Sequence, residues 1–136
     1  MSFRLNQINP VDIHSCWPLV KEGLFVVKKR ADSDKWIPED VYHHIKAGIS
    51  FLYLGFDENE YAGFLVLTPK RDQYTNELFL HVWIAYSKNK SIYEYAEEQV
   101  KRIARDIGAS CISFGSPRLG WKKRYKVKSV NYEVPL

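Results

Sequence analysis

The sequence is poor in the features that define several large classes of protein. Its two cysteines, Cys16 and Cys111, are far apart and lack the spacing of a metal site. No run approaches the roughly 18 consecutive apolar residues of a membrane span, and the first ten residues lack the apolar core of a signal peptide. We therefore expect a cytoplasmic protein that does not engage a membrane. Cys111 lies in an apolar run, which predicts a buried, inert thiol.

The composition that remains is that of a globular chain. Hydrophobic residues make up 46% and charged residues 26% of the 136 residues, with only seven glycines and six prolines. A chain of this length and content can bury a core without disulfides or a metal. We expect one domain over residues 1–136.

Positive charge exceeds negative charge by four, and the excess is concentrated in two places. One cluster is residues 28–30. The second is denser and consists of Arg118, Lys122, Lys123, Arg124, Lys126 and Lys128. Such clusters can contact nucleic acid, the phosphates of a nucleotide or an acidic partner, or they can be solvated helix faces. These alternatives stay open at this point.

The hydrophobic pattern predicts the element order β-α-α-β-β-β-α-β-α-β. The first helix starts at Asn9-Pro10, and Pro18 either interrupts it or begins another. A polar loop is predicted at 69–76. Predicted strands cover 3–8, 49–56, 61–67, 77–86, 110–114 and 130–134; further helices cover 38–48 and 91–108, with a short basic helix from about 117. This order predicts an α/β (α+β) domain with a mixed, mostly antiparallel sheet and helices on both faces.

Residues 91–108 carry the clearest helix pattern. Ser91 and Glu94 form a capping box, and Gly108 supplies the C-terminal stop. The predicted buried stripe is Ile92, Ala96, Val100, Ile103 and Ile107.

Two segments resemble proteins of the GNAT (acyl-CoA N-acyltransferase) type. Residues 118–130 follow the spacing of the GNAT pattern N-x-x-A-x-x-L-Y-x-x-x-G-F and keep Tyr125 in register. The segment S-P-R-L-G-W at 116–121 resembles an R-x-G-W signature of phage-encoded GNAT-like proteins, in which Trp17 and the pair Glu39-Asp40 would fill two further places. The resemblance covers nearly the whole chain. It implies the GNAT fold and transfer of an acetyl group from acetyl-CoA to an amine or another small nucleophile.

The cofactor loop departs from the family pattern. GNAT enzymes usually have Q/R-x-x-G-x-G/A before the helix, because small residues let backbone N–H groups approach the CoA pyrophosphate. Here Lys88 keeps the first charge, whereas Ser91 and Tyr93 replace small residues. The segment is either a CoA loop or a plain capped helix start. As a CoA loop, its contacts would come from Lys88, Lys90, Ser91, Ile92 and Tyr93.

The resemblance also implies catalytic roles. The backbone around Trp83 and Ala85 would donate an N–H to the thioester carbonyl, and Tyr125 would protonate the leaving thiolate. A polar residue on the fourth strand would act as base, and His81 and Glu77 share one face of that strand. The structural alternatives are a hydrogen-bonded His81, an exposed Glu77 and a packed Tyr125. No metal-binding motif is present, and His43-His44 face different directions.

Three functions follow from these observations. The first is an acetyl-CoA-dependent acyltransferase that acts on a small-molecule or protein amine, in the host cytoplasm if the chain is phage-encoded. The second is an inactive GNAT-fold protein that serves as an interaction or virion-associated component with a phage or host protein partner. The third is a nucleic-acid-directed member, in which phosphate contacts come from Arg118, Lys122, Lys123 and Arg124.

Overall fold

The structure, a computed structural model, describes residues 3–30, 35–88, 93–115, 126–128, 132 and 134–136. This part of the chain contains five strands and three α-helices. Their order is β1 (Phe3–Gln7), a 3₁₀ turn (Pro10–Asp12), α1 (Ile13–Arg30), α2 (Pro38–Lys46), β2 (Phe51–Asp57), β3 (Glu60–Arg71), β4 (Leu78–Ser87), α3 (Tyr93–Asp106) and β5 (Ile112–Phe114). The predicted basic helix lies outside the described residues. Of the predicted strand 130–134, Tyr132 and Val134 are described, and neither lies in a strand.

The sheet has the order β1-β2-β3-β4-β5. Strands β1 to β4 are antiparallel neighbours, whereas β5 runs parallel to β4 after the crossover through α3. The β2–β3 hairpin turns through Glu58 and Asn59, whose φ angles are 49° and 71°, as a tight hairpin requires. The predicted mixed, mostly antiparallel sheet is confirmed.

Two apolar cores lie on opposite faces of the sheet. The face covered by α1 and α2, here called the α1/α2 face, buries Ile13, Val20, Leu24, Val41, Ile45, Leu52, Leu54, Phe64, Val66 and Ile84. The face covered by α3 buries Leu65, Leu67, Leu80, Val100 and Ala104. Alternate residues of β3 thus supply both cores, which explains why that strand reads as a continuous apolar run. Among the described residues, no helix is long and apolar enough to cross a membrane.

The outer edge of β1 is occupied by a side chain of α3. The Ile8 N–H donates to the Leu52 carbonyl of β2 at 2.9 Å. Because the peptide groups of an antiparallel strand alternate in direction, those of Phe3 and Leu5 point away from β2. The Gln99 carboxamide bonds both: Leu5 N–H donates to Oε1 at 2.8 Å, and Nε2 donates to the Phe3 carbonyl at 2.7 Å. Gln99 therefore covers backbone groups that an unprotected edge strand would offer to another chain.

Two prolines behave differently from the sequence prediction. Pro18 neither interrupts α1 nor begins a new helix, because α1 is continuous from Ile13 to Arg30. Because Pro18 has no N–H, the carbonyl of His14, four residues earlier, lacks its usual helical donor. Both residues are exposed, so water can replace the lost bond. Pro69 does not open a loop, since β3 continues to Arg71. Pairing with β2 ends at Leu67, so Pro69 has no ladder bond to lose on that side.

Two predicted buried residues are exposed. Ile107 follows the end of α3 and is 40% exposed, although Gly108 does terminate the helix with a φ of 79°. Cys111 lies outside β5, one residue before its start, and is exposed. The predictions that these side chains are buried were therefore wrong.

Candidate functional site

Strands β4 and β5 share only a short paired stretch. They pair at three positions only: Leu80 with Ile112, His81 with Ser113, and Val82 with Phe114. Strand β4 then continues through residues 83–87, whereas β5 ends at Phe114. Within the described part of the chain, no strand pairs with residues 83–86 on the β5 side. We call this β5-side edge of β4 the wedge.

A β-bulge lies at the point where the wedge begins. Leu67 is opposite Val82 and Val66 is opposite Ile84, so Trp83 is one extra residue in β4. Trp83 and Ile84 both face Val66, and both side chains lie on the α1/α2 face. From this position onward, the bulge exchanges the residues of β4 whose peptide groups point toward β3 with those whose peptide groups point toward β5.

The reversal turns the peptide group of Ala85 toward the wedge. The Lys88 N–H donates to the Ala62 carbonyl of β3 at 2.8 Å. Every second residue after the bulge, namely Ile84, Tyr86 and Lys88, therefore points its peptide groups toward β3. Ala85 points the opposite way, and its side chain is exposed. The N–H of Trp83, in contrast, faces β3.

His81 lies at the closed end of the wedge. It is the register partner of Thr68, which continues the α1/α2 face two residues after Val66. Its Nδ1 is 3.0 Å from the Ser113 hydroxyl of β5. Burial, and next the positive charge of Lys70, lower the pKa of His81 below 6.5. The imidazole is therefore neutral near pH 7 and can accept a proton.

Glu77 is not brought together with His81. It is exposed and precedes the first residue of β4. Four residues of extended chain separate the two by about 13 Å. The two share a face, as the alternation predicts, but Glu77 lies at the end of β4 away from the wedge.

Aromatic side chains cover the bulge on the α1/α2 face. The Trp83 ring is 5.0 Å from that of His44, near the end of α2, and 6.5 Å from that of Trp36, which precedes α2. Lys28 donates a hydrogen bond to the Trp36 carbonyl. Sequence reasoning missed His44 and Trp36, because the contacts join residues about forty positions apart and no local pattern marks them.

The other predicted cofactor and anion contacts are described only in part. Lys88 is exposed, and its ammonium lies 5.2 Å from the centre of the Tyr61 ring, which packs on the α1/α2 face. Tyr93 is the first residue of α3. Outside the described residues lie the Tyr93 side chain and Lys90, Ser91, Ile92, Arg118, Lys122, Lys123, Arg124 and Tyr125. Across the described ranges, no three His, Cys, Asp or Glu side chains cluster as a metal site would require.

Comparisons with known proteins bear on the fold. No family model matches the sequence, and no curated protein matches it significantly. A solved ribosomal-protein-alanine N-acetyltransferase from Brucella melitensis is similar, with 13% identity, a TM-score of 0.69 and 99% of each chain covered. A GNAT family acetyltransferase from Staphylococcus aureus has 15% identity and a TM-score of 0.66 over 100% of both chains.

An aminoglycoside acetyltransferase from a soil metagenome has 11% identity and a TM-score of 0.67, with 100% of this chain and 99% of that chain covered. A second one, solved with sisomicin, has 9% identity and a TM-score of 0.67, with 98% and 93% covered. Identities this low establish the fold alone. The chain has the GNAT fold.

Proposed function

We propose that residues 1–136 form one domain that transfers an acetyl group from acetyl-CoA to an amine. The observation that carries this proposal is the end of the β4–β5 pairing at Phe114, together with the bulge that turns the Ala85 amide toward the β5 side beyond that point. A thioester needs such a slot and such a donor, because negative charge develops on its carbonyl oxygen during transfer. The GNAT fold of the chain supports the same conclusion.

The described residues fit an acyl-CoA at the wedge. Ala85 is small and exposed, and its amide is not used by β3. Bound acetyl-CoA would supply an activated carbonyl at this position. The Ala85 N–H would donate to the carbonyl oxygen and orient it. Lys88, Lys90, Ser91, Ile92 and Tyr93 would hold the phosphates through charge and through backbone N–H groups at the start of α3.

His81 is the proposed base. Its imidazole is neutral near pH 7, because burial lowers its pKa, so a ring nitrogen can take a proton from the attacking amine. Tyr125 is proposed to return a proton to the leaving sulfur. Glu77 is less suited to this chemistry, since about 13 Å of strand separate it from His81.

The acceptor is proposed to approach from the α1/α2 face. Trp83, Trp36 and His44 line that side of the bulge and would contact the acceptor's body. Enzymes with this fold are named for small amines, as in the aminoglycoside acetyltransferases, and for a protein amine, as in the ribosomal-protein-alanine enzyme. A small-molecule or protein amine is therefore the substrate class that we propose.

Binding and turnover test the proposal in sequence. Acetyl-CoA at about 100 times its Kd should raise the free energy of unfolding by about 2.7 kcal/mol, measured by thermal shift and confirmed by calorimetry. Release of the CoA thiol is then followed with a panel of aminoglycosides, polyamines and peptides. His81→Gln and Tyr125→Phe should lower kcat more than they weaken acetyl-CoA binding. His14→Gln, an exposed histidine on α1, is the matched control and should leave kcat unchanged.

A chain that shows no stabilisation by millimolar acetyl-CoA would contradict the proposal. The inactive interaction component would then be tested by co-purification with phage or host proteins. The nucleic-acid-directed function would be tested by a gel shift at two salt concentrations, because phosphate contacts weaken steeply as salt rises.

A further inference from the structure

A row of polar side chains crosses the α1/α2 face at the closed end of the wedge. Ser50, just before β2, bonds the Thr68 hydroxyl of β3 at 2.7 Å, and both are buried, with 0% and 8% exposure. Thr68 is the register partner of His81 on β4. His81 in turn bonds Ser113 of β5 at 3.0 Å. The row therefore consists of two hydrogen-bonded pairs placed side by side.

The hydrogen bond to Ser113 directs the imidazole of His81 toward β5. The Thr68 hydroxyl bonds Ser50 of the segment before β2, whereas the side-chain bond of His81 is made to Ser113 of β5. Ser113 is one residue before Phe114, the last residue that pairs with β4. Ser113 thus bonds the ring from β5, one residue before the pairing of the two strands ends.

We propose that Ser113 is a positioning residue for His81. Its Oγ accepts a hydrogen bond from Nδ1–H and so fixes the tautomer whose Nε2 carries the free lone pair. This inference rests on the proposed role of His81 as base. The opposite arrangement, in which Ser113 donates to Nδ1, would put the proton on Nε2 and leave that nitrogen unable to accept one.

The bond also acts during proton transfer. The proton moves from the amine nitrogen to Nε2, and Ser113 keeps its own proton throughout. The imidazolium then carries a proton on each nitrogen, and the Nδ1–H bond to Oγ becomes charge-assisted and stronger. Lys70 of β3 is the charged group that acts against the imidazolium, and the half-buried His44 of α2 lies over the neighbouring Trp83.

Nitrogen NMR of His81 tests the direction of the bond without any substrate. A hydrogen bond to the charged form of a group favours that form, whereas one to the neutral form opposes it. Ser113→Ala should therefore lower the pKa of His81 further, and it should remove the preference for the Nδ1–H tautomer. Ser113→Thr, which keeps a hydroxyl, should restore both.

Ser110→Ala is the matched control, because the Ser110 hydroxyl bonds the Leu78 carbonyl of β4 and not His81. It should leave the His81 titration unchanged, and urea unfolding of each variant confirms that it folds. A rise in the His81 pKa in Ser113→Ala would show that Ser113 donates to Nδ1 and would overturn the proposal. An unchanged pKa would overturn it as well.

Kinetics provide the second readout. With an accepted amine, Ser113→Ala should lower kcat about tenfold or more, with little change in KM for acetyl-CoA. The acidic limb of kcat/KM should move to lower pH, and Ser113→Thr should recover most of the rate. Normal kcat in Ser113→Ala would refute the positioning role. An inactive wild-type protein would instead refute the proposed function, while the NMR titration would still decide the hydrogen bond.

Discussion

Proline substitution can test the direction in which the Ala85 amide points. Proline lacks an N–H, so its cost in a strand depends on whether that N–H was bonded. The Ala85 amide faces the wedge, and we expect Ala85→Pro to lower the free energy of unfolding by no more than about 1 kcal/mol. The Tyr86 amide faces β3 by the same alternation, and it supplies the matched comparison.

The expected cost at Tyr86 follows from its partner. Tyr86→Pro removes the donor to the backbone carbonyl of Phe64, a residue that is 1% exposed. A buried carbonyl without its donor costs about 1–3 kcal/mol. Tyr86→Ala measures the loss of the ring, which contacts the Phe64 ring at 5.5 Å. The difference between Tyr86→Pro and Tyr86→Ala therefore isolates the backbone effect.

Urea unfolding followed by circular dichroism supplies these free energies, and turnover supplies the functional part. If the Ala85 N–H donates to the thioester carbonyl, Ala85→Pro should lower kcat about 100- to 1000-fold and leave acetyl-CoA binding within a few-fold of wild type. A loss of stability in Ala85→Pro as large as the backbone effect at Tyr86 would show that the amide has a partner. The wedge would then be closed, and the reasoning behind the proposed function would fail.

Three further predictions concern stability. Gly63→Ala should destabilise the fold severely in a urea titration, since a Cβ there would lie 2.0 Å from the Tyr86 carbonyl oxygen at a φ of 153°. Gly48→Ala, with a φ of 77° and no atom within 4 Å of the added Cβ, should cost only about 1–2 kcal/mol in the same titration. Gln99→Leu should lose about 1 kcal/mol for each of its two bonds to β1 and should increase self-association in light scattering, whereas unchanged values would show that the edge needs no cover. The pKa of His81 is lowered in the folded state, so its contribution to stability is fully present above the unfolded pKa of about 6.5 and is lost as pH falls through the folded pKa. His81→Gln should therefore reduce the fall of the urea midpoint below pH 6.5. An identical pH profile in the variant and the wild type would contradict this assignment.

Local patterns predicted the fold well. The strands 49–56, 61–67 and 77–86 correspond to β2, β3 and β4, and the helical pattern at 91–108 corresponds to α3. The prolines were harder to interpret, because the cost of a missing N–H depends on the neighbouring chain. Pro69 is tolerated because the pairing of β3 with β2 stops at Leu67. Pro18 is tolerated because His14, whose carbonyl loses its donor, is exposed. Neither condition can be read from residues next to the proline.

The candidate site was only partly predictable for a related reason. The alternation of the fourth strand placed His81 on a usable face, but its hydrogen bond to Ser113 joins strands that are about thirty residues apart. The approach of His44 and Trp36 to Trp83 depends on how α2 packs on the sheet. A bulge is a property of two strands together, so the single sequence of β4 did not indicate which amide faces the wedge.

The extra residue at Trp83 divides β4 into two halves with opposite phase. Up to Val82, even-numbered side chains pack toward α3, and from Ile84 onward even-numbered side chains pack toward α1 and α2. A remote relative with an unbroken strand would match this chain on one side of Trp83 only, unless a gap is placed there. Alignments and redesigned variants of β4 must therefore treat it as two segments joined by a one-residue offset.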